Sequence, residues 1–336
     1  MFTGVGSQEL RCWYITPTSK LEAAPGTYCF SQRWVLGVPD YYKRLHMRHW
    51  SQTKARCSLA YLCAEYMYRQ PRYYEAKRAV AEGDVSALQT LEHYDKPDTF
   101  PLVVGSAIHT AAFAVANGTS DRDAFRDMLS HLQEHKPVPW IDKDAKQTDY
   151  LLSDDGDRIS LTLKHAAAGI REAFPGANQI DAEEKFYHEL PGIELPVLGY
   201  SDGRGAGVVG ELKTHWDNVR ANTKSGFAIK SLPKEPPFQD VIQVGLYRRH
   251  FGGQAKLIYA NRIGHRVFEV DEDRCEQAVE ALTDVLRKRQ SIFQRCDGVA
   301  QLLGYIEPDW TDFRWNDYKP ELLMELKTLI TGGWDL

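Results

Sequence analysis

The chain has 336 residues, a formal net charge of −5 and 43% hydrophobic residues, a composition that is ordinary for a globular protein. No apolar run approaches the roughly 20 residues that a membrane helix needs, so we expect no membrane partner. The acidic net charge excludes a surface coated uniformly for nucleic acid, but it leaves room for a local basic groove.

The six cysteines are scattered through the chain and predict free thiols rather than a disulfide framework. They are Cys12, Cys29, Cys57, Cys63, Cys275 and Cys296. The first residues also lack the basic and apolar regions of a secretory signal. We therefore expect a reducing, intracellular compartment.

The first predicted element is a helix in residues 49–68, with Ser51 as its candidate N-cap. Its start is basic, with Arg48, Lys54 and Arg56 around Trp50. Two interpretations stay open at this point. The segment is either an amphipathic helix with a solvated basic end, or a surface that grips DNA phosphates while Trp50 stacks on bases.

Two further helices are predicted before the spacing of apolar residues changes from helical to strand-like. One begins near Ser106 and stops at Asn117-Gly118, a pair that commonly ends helices, and it carries His109 on a small, apolar stretch. The other covers residues 160–174 and spaces apolar residues along one face. A single histidine in such a helix is usually a core residue, so His109 alone indicates little.

A hairpin is predicted in residues 184–216, where two β-like stretches flank the glycine-rich sequence DGRGAG. A polar, basic and proline-broken loop follows in residues 216–238, and long loops of this kind are often functional. Its candidates for phosphate contacts are Arg220, Lys224, Lys230 and Lys234. A helix at 239–251, strands at 255–262 and 265–270, and a helix at 271–294 come next.

The tetrapeptide Glu-Leu-Lys-Thr occurs twice, at residues 211–214 and 325–328. The second copy lies in a run of leucines at helical spacing, which predicts that Glu325 and Lys327 form the polar face of a helix. The first copy follows the hairpin turn and is the candidate for chemistry.

The first copy places Glu211 and Lys213 two residues apart, so a strand directs both side chains to one face. The hairpin brings Asp202 alongside them. Two neighbouring carboxylates repel each other, and Mg²⁺ is a cation that accepts one or two of them, with the Leu212 carbonyl as a further oxygen ligand. Lys213 could then orient or deprotonate the attacking water and offset developing charge.

The order of these motifs resembles a known family. His109 on a helix, the GYSD sequence that ends in Asp202, the ELK sequence of Glu211 to Lys213, and the QVGLY sequence with Gln243 and Tyr247 follow one another. Together they resemble the RecB-like branch of the PD-(D/E)xK nuclease superfamily, which includes phage RecE-type and CRISPR-associated exonucleases. The resemblance spans residues 50–293.

This resemblance implies an α/β fold with a restriction-endonuclease-like core, in which helices flank a mixed central sheet. Residues 99–295 would form that core. Residues 1–98 would be a mainly helical N-terminal segment packed on it, and residues 296–336 a helical C-terminal extension.

The resemblance also implies roles for the motif residues. Asp202 and Glu211 would bind Mg²⁺ or Mn²⁺, His109 would complete a metal position, and Lys213 would serve the water. Gln243 and Tyr247 would hold the site or the DNA strand. Glu184 occupies the place of a further acidic residue, and the neighbouring Glu183 competes with it for that place. Cys275 and Cys296 have no close third partner, so we expect no iron-sulfur cluster.

The function implied is a metal-dependent DNA exonuclease in phage-type recombination or repair, in the cytoplasm of a bacterial or phage-infected cell. No Walker A sequence is present, so a helicase or a single-strand annealing protein is an expected partner, and a homo-oligomer is a further expectation. The alternatives are a structure-specific endonuclease and a non-catalytic DNA-binding protein on a nuclease fold.

Overall fold

A computed structural model describes residues 38–96, 100–134, 157–219, 227–311 and 313–332, and every structural statement below concerns these ranges. Arg220 and Lys224, two of the predicted phosphate contacts, lie outside them. No helix in the described ranges is long and apolar enough to cross a bilayer.

The centre of the fold is a five-stranded mixed sheet. Its strands, in spatial order, are β1 (Asp181–His188), β2 (Val197–Gly205), β3 (Val208–Thr214), β6 (Gln254–Asn261) and β7 (Gly264–Val270). β3 and β6 pair in parallel, and the other neighbours pair antiparallel. A parallel pair needs a crossover connection, which is supplied here by the segment between β3 and β6. Two short strands in that segment, β4 (Asn218–Val219) and β5 (Phe227–Ala228), form a separate pair.

Helices α6 (Phe100–Ala116) and α8 (Asp157–Ala173) cover one face of the sheet, with α7 (Asp121–Glu134) beside them. The core on this face includes Ile108 and Phe113 from α6, Ile170 from α8, and Leu212 and Ile258 from the sheet. The small residues Ala166, Ala167 and Gly169 are buried on α8 and let that helix approach the sheet closely.

The opposite face is covered by α9 (Phe238–Phe251), and α10 (Glu272–Phe293) packs against α9. The core on this face also contains the helices of the N-terminal segment and the C-terminal residues. Asp271 caps the start of α10 by accepting a hydrogen bond from the Arg274 amide at 2.8 Å. Helices therefore flank the mixed sheet on both faces, which confirms this part of the predicted fold.

The single helix predicted at residues 49–68 is divided in two after Arg56. Its first part is α2 (Gln52–Arg56). Its second part begins an uninterrupted helical run of α3 (Leu59–Leu62), a π-helix (Cys63–Arg69) and α4 (Gln70–Ala81). Two short helices, α1 (Asp40–Arg44) and α5 (Leu88–Tyr94), lie before and after these elements. Ser51 caps α2, as predicted, by accepting a hydrogen bond from the Lys54 amide at 3.2 Å. The helix then breaks because Ser58 caps a new start, accepting from the Tyr61 amide at 3.2 Å.

The C-terminal residues form α11 (Val299–Leu303), a 3₁₀ turn (Phe313–Asp317) and α12 (Pro320–Gly332). They are bonded to the N-terminal helices by buried polar contacts. Tyr318 OH donates to Glu65 Oε2 at 2.6 Å, and Glu65 also pairs bidentately with Arg69. A buried carboxylate needs such partners, because desolvating an unpaired charge is costly. The boundaries at residues 98 and 295 remain predictions.

The predicted hairpin is part of a three-stranded meander. The stretch predicted as its first strand contains two strands, β1 and β2, and β3 is the third. The turn between β2 and β3 consists of Ala206 and Gly207 alone, with φ values of +47° and +76°. Positive φ at both central residues is the signature of a type I′ turn, whose twist matches that of the flanking strands. Asp202 therefore lies within β2 rather than in a turn.

β2 and β3 separate soon after this turn. Their pairing runs from Gly205–Val208 to Gly203–Gly210 and goes no further. Beyond that point the free edge of β2 pairs with Trp50, whose amide donates to Pro196 at 2.9 Å and whose carbonyl accepts from Leu198 at 2.8 Å. The separation opens a gap in the sheet between Asp202 and Glu211.

We predict that Gly203→Ala destabilises the protein by about 1–3 kcal/mol, because the new methyl group would lie 2.5 Å from Phe113 and 3.2 Å from Phe174 in a packed core. Urea denaturation measures the change in the free energy of unfolding. Gly264→Ala is the matched control in β7, since nothing lies within 4 Å of its added carbon. Equal effects of the two substitutions would contradict the proposed clash.

Candidate active site

Strand β3 presents Glu211 and Lys213 on the face that α9 covers. Leu212, between them, points into the core on the opposite face. This alternation is the one predicted from the spacing of two residues. Glu211 is 2% exposed, so its carboxylate is withdrawn from water and depends on protein partners.

A closed set of hydrogen bonds joins β3 to α9. Lys213 Nζ donates to Glu211 Oε1 and, at 3.0 Å, to Gln243 Oε1. Gln243 Nε2 donates to Tyr247 OH at 2.7 Å, and Tyr247 OH donates to Glu211 Oε2 at 2.7 Å. Gln243 and Tyr247 reach the same site because residues four apart share one face of a helix. Each side chain in the set fixes the next.

Asp202 closes the gap between β2 and β3 from the other side. Its Oδ2 accepts a hydrogen bond from the Leu212 amide at 2.8 Å, and so replaces the ladder bond that β2 no longer provides there. The N–H and C=O of an extended residue point to the same edge of a strand, which directs the Leu212 carbonyl toward this gap as well.

His109 lies on α6 and faces the same carboxylate. Its Nε2 is 3.3 Å from Asp202 Oδ2, an ion-pair distance, but it makes no aligned hydrogen bond to any of the described residues. Its Nδ1 is 3.7 Å from Glu183 Oε1. The ring also packs on Phe113, with centroids 4.8 Å apart. Burial lowers the pKa of His109, but the Asp202 carboxylate outweighs burial and raises it, so the imidazole faces that carboxylate as a cation. A metal ion bound here would take the place of the proton.

The two candidate glutamates of β1 have different surroundings. Glu183 lies opposite Asp202, between two regular pairs of the ladder, and has a φ of +54°, which is strained for a residue with a side chain. Glu184 accepts a hydrogen bond from Arg204 Nε at 2.8 Å. Of the two, Glu183 is the one beside His109.

Burial and repulsion dominate the protonation of the carboxylates. Burial and the nearby charge of Asp202 raise the pKa of Glu211 to about 8, against the opposing effect of Lys213. Burial alone would raise the pKa of Asp202 too, but His109, Lys213 and the Leu212 amide together hold it below the ordinary value. Two close carboxylates thus acquire separated pKa values.

Lys213 is held in its charged form. Burial would lower its pKa, but Glu211 and Asp202 outweigh burial and raise it. The pKa of Tyr247 is also raised, first by burial and then by the charge of Glu211, so the phenol stays a hydrogen-bond donor. A lysine in this state supplies positive charge more readily than it accepts a proton. Both roles predicted for Lys213 stay predictions.

The donor set suits a hard divalent cation such as Mg²⁺ or Mn²⁺. It consists of the Asp202 carboxylate, His109 Nε2, the Leu212 carbonyl and, if its partners release it, Glu211. Within the described ranges no three His, Cys, Asp or Glu side chains converge as a complete metal cage. Mg²⁺ does not require one, because it usually keeps several waters and takes one or two carboxylates.

The predicted DNA contacts fall into two groups. Trp50 is 0% exposed and stacks on Phe293, with centroids 5.5 Å apart, so its ring belongs to the core. Lys54 is 7% exposed, and its Nζ donates to the His49 carbonyl at 3.1 Å. The exposed candidates are Arg48, Arg56, Lys230 and Lys234. Of the candidates that the structure describes, these four are exposed and available to DNA phosphates.

Four of the six cysteines are described, and all four are buried: Cys57, Cys63, Cys275 and Cys296. Burial raises the pKa of Cys275 to about 11, which disfavours the thiolate that metal binding requires. The absence of an iron-sulfur cluster stays a prediction.

The second tetrapeptide has a structural role that the sequence did not predict. Glu325 accepts hydrogen bonds from Tyr68 at 2.7 Å and from Tyr94 at 2.9 Å, and its other oxygen is 2.5 Å from His93 Nε2. It is therefore not simply part of a solvated face, but an anchor of α12 on the N-terminal helices. The partners are more than 230 residues away in sequence, so local spacing could not reveal them. Lys327 is exposed and lies over the Trp310 ring, 5.4 Å from its centroid.

Comparison with known proteins identifies no family. No protein-family model matches the chain, and no curated protein matches it. Among solved structures, a protein of Eubacterium rectale described as a candidate exonuclease is 12% identical and aligns with a TM-score of 0.34 over 73% of this chain and 90% of its own. A protein named SSO0001 is 16% identical, with a TM-score of 0.23 over 46% of this chain and 81% of its own. Similarity at this level decides neither fold family nor function.

We predict that the metal-free protein loses stability relative to Glu211→Gln as the pH rises from 5 to 8. Between the unfolded pKa of 4.5 and the folded pKa of about 8, the folded state keeps a proton on Glu211 that the unfolded state has released. Raising the pH therefore favours unfolding of the wild type, by up to about 1.4 kcal/mol for each pH unit. Urea denaturation in EDTA at a series of pH values measures the difference.

The control for this experiment is Glu92→Gln, which removes an exposed carboxylate from α5. Its stability should follow the wild-type pH profile. If the profiles of wild type and Glu211→Gln run parallel instead, Glu211 does not hold the extra proton.

Proposed function

We propose that the protein is a divalent-metal-dependent DNA exonuclease of the PD-(D/E)xK type, in its RecB-like branch. One observation carries the proposal. Asp202, Glu211 and Lys213 converge at the gap where β2 and β3 separate, with His109 Nε2 3.3 Å from the Asp202 carboxylate. Such a set of acidic, cationic and imidazole groups is suited to cleaving phosphodiesters.

The metal would be held by Asp202, His109 and the Leu212 carbonyl, with Glu211 as a further ligand. When bound, Mg²⁺ or Mn²⁺ polarises the phosphoryl group and lowers the pKa of a coordinated water. The hydrogen bond from the Leu212 amide fixes the position of the Asp202 carboxylate. The same bond fixes the edge of β3 that presents the Leu212 carbonyl. A raised pKa keeps Glu211 protonated more often than an ordinary glutamate, and a nearby cation would favour its ionised form.

Lys213 would stabilise the negative charge that develops on the phosphate oxygens. Its ammonium is already oriented by Glu211 and by Gln243, so little rearrangement is needed as the charge develops. Tyr247 and Gln243 would position Lys213 and Glu211. The polar atoms with which they bond each other and Glu211 are already occupied and would not contact DNA.

Exonuclease rather than endonuclease activity is supported by Gln243 and Tyr247. Their helix follows the ELK strand, and this order resembles the RecB-like branch, which is rich in exonucleases. The exposed Arg48, Arg56, Lys230 and Lys234 would guide the strand through phosphate contacts. A recombination or repair pathway, a helicase or annealing protein as partner, and a homo-oligomer are parts of this proposal that rest on the same resemblance.

We predict that Lys213→Ala lowers digestion of linear duplex DNA by at least about 10²-fold, because a preorganised charge at a phosphoryl centre contributes this much. The assay compares an end-labelled linear duplex with a closed circle, in Mg²⁺, Mn²⁺ or EDTA.

The matched control is Lys327→Ala, in the second copy of the same tetrapeptide. It should keep wild-type activity, since Lys327 is exposed on α12. Equal cleavage of the circle would show an endonuclease. DNA binding by the wild type without cleavage in either metal would replace the proposal with a DNA-binding protein.

We further predict that His109→Gln raises the Mn²⁺ concentration needed for half-maximal cleavage by about tenfold or more, because it removes a metal donor. Activity at saturating Mn²⁺ should fall less than in Lys213→Ala. Titration of Mn²⁺ in the same assay measures both values, and an unchanged Mn²⁺ requirement would exclude His109 as a ligand.

A further inference from the structure

A second group of metal-ligand chemistry lies outside the candidate active site. His188, the last residue of β1, faces His250, near the end of α9. Their Nδ1 atoms are 3.4 Å apart. The two residues are 62 positions apart in sequence, so this approach is created by the packing of the edge strand against the helix.

The distance between the two nitrogens fits a shared ion. Two imidazole nitrogens bound to one tetrahedral Zn²⁺, each at about 2.0–2.1 Å, are about 3.3–3.4 Å from each other. The same distance also permits a long hydrogen bond between the rings. A bound ion needs both Nδ1 atoms unprotonated, so each neutral ring would carry its proton on Nε2.

The His250 ring is held in place by its neighbours. It stacks on Phe186 with centroids 4.7 Å apart and an angle of 25° between the planes. Phe251 meets it edge-on at 4.6 Å, and His188 meets it edge-on at 5.6 Å. Rings fixed in this way lose little freedom when they bind a ligand, and this reduces the cost of binding.

The surroundings keep both imidazoles neutral, which is the form that binds metals. Burial lowers the pKa of His188, and the charges of His250 and Arg249 add to that effect. Burial also lowers the pKa of His250, with Glu184 opposing and Arg204 adding. The cations nearby are compensated, since Arg249 pairs with Glu276 and Arg204 pairs with Glu184.

We propose that His188 and His250 form a binding site for a transition-metal ion of the Zn²⁺ or Cu²⁺ class, separate from the candidate active site. Imidazole suits these ions, whereas Mg²⁺ prefers oxygen ligands. Water completes the coordination. The ion ties β1 to α9, and Phe186 connects this site to the candidate active site by also packing on Tyr247, with centroids 5.7 Å apart.

The test is calorimetric titration of the chelator-treated full chain with ZnCl₂, together with thermal unfolding at each Zn²⁺ level. The wild type should bind Zn²⁺ saturably and show a higher Tm, because an ion that binds the folded state alone stabilises it. His188→Gln should weaken this binding at least tenfold, since losing even a hydrogen-bond partner of a ligand weakens metal sites by about 10- to 100-fold. Mg²⁺ in place of Zn²⁺ should not compete at this site.

Two control variants separate this site from other histidines. His109→Gln removes the imidazole of the candidate active site, and His131→Gln removes an exposed imidazole from α7; both should keep the Zn²⁺-dependent rise in Tm. Loss of the effect in His109→Gln alone would move the ion to the candidate active site. No Zn²⁺ binding by the wild type, or equal binding by His188→Gln, would overturn the proposal.

A spectroscopic measurement on the unmodified protein guards against a variant that fails to fold. Electron paramagnetic resonance of the wild type with one equivalent of Cu²⁺ should show two imidazole nitrogens in the coordination sphere. Coordination by one nitrogen or none would overturn the proposal, whatever the stability of the variants.

Discussion

The arrangement of the candidate site depends on one hydrogen bond, from the Leu212 amide to Asp202 Oδ2 at 2.8 Å. Strands β2 and β3 stop pairing at Gly203 and Gly210, and a backbone amide left unbonded beside that gap would carry a desolvation cost. The Asp202 carboxylate removes this cost and is thereby fixed at the position where it also faces His109. The same hydrogen bond therefore stabilises the open part of the sheet and fixes the position of the Asp202 carboxylate.

The charges around Glu211 show a second constraint, because its carboxylate is buried beside Asp202 and has Lys213 and Tyr247 as its partners. Like charges at close range disfavour full ionisation, and the pKa of about 8 reflects this tension. Lys213 offsets part of it and is itself held charged. A bound cation would relieve this repulsion.

The parts of the site that were predictable from sequence are those set by local periodicity. Glu211 and Lys213 share a face because strands repeat every two residues, and Gln243 and Tyr247 share one because helices bring residues four apart together. The remaining features depend on long-range packing. The proximity of Glu183 rather than Glu184 to His109 follows from a residue with positive φ, the burial of Trp50 follows from pairing with β2, and the contacts of Glu325 come from helices more than 230 residues away.

The bond from Tyr318 to Glu65 has a consequence for synthesis of the chain. The two residues are 253 positions apart, and ribosomes add about 5–20 residues each second, so Glu65 waits on the order of 10–50 s for this partner. Arg69, four residues further on, is available at once and can pair with Glu65 throughout that time. The Glu65–Arg69 pair is therefore local and can form before the residues around Tyr318 emerge, whereas the bond from Tyr318 cannot.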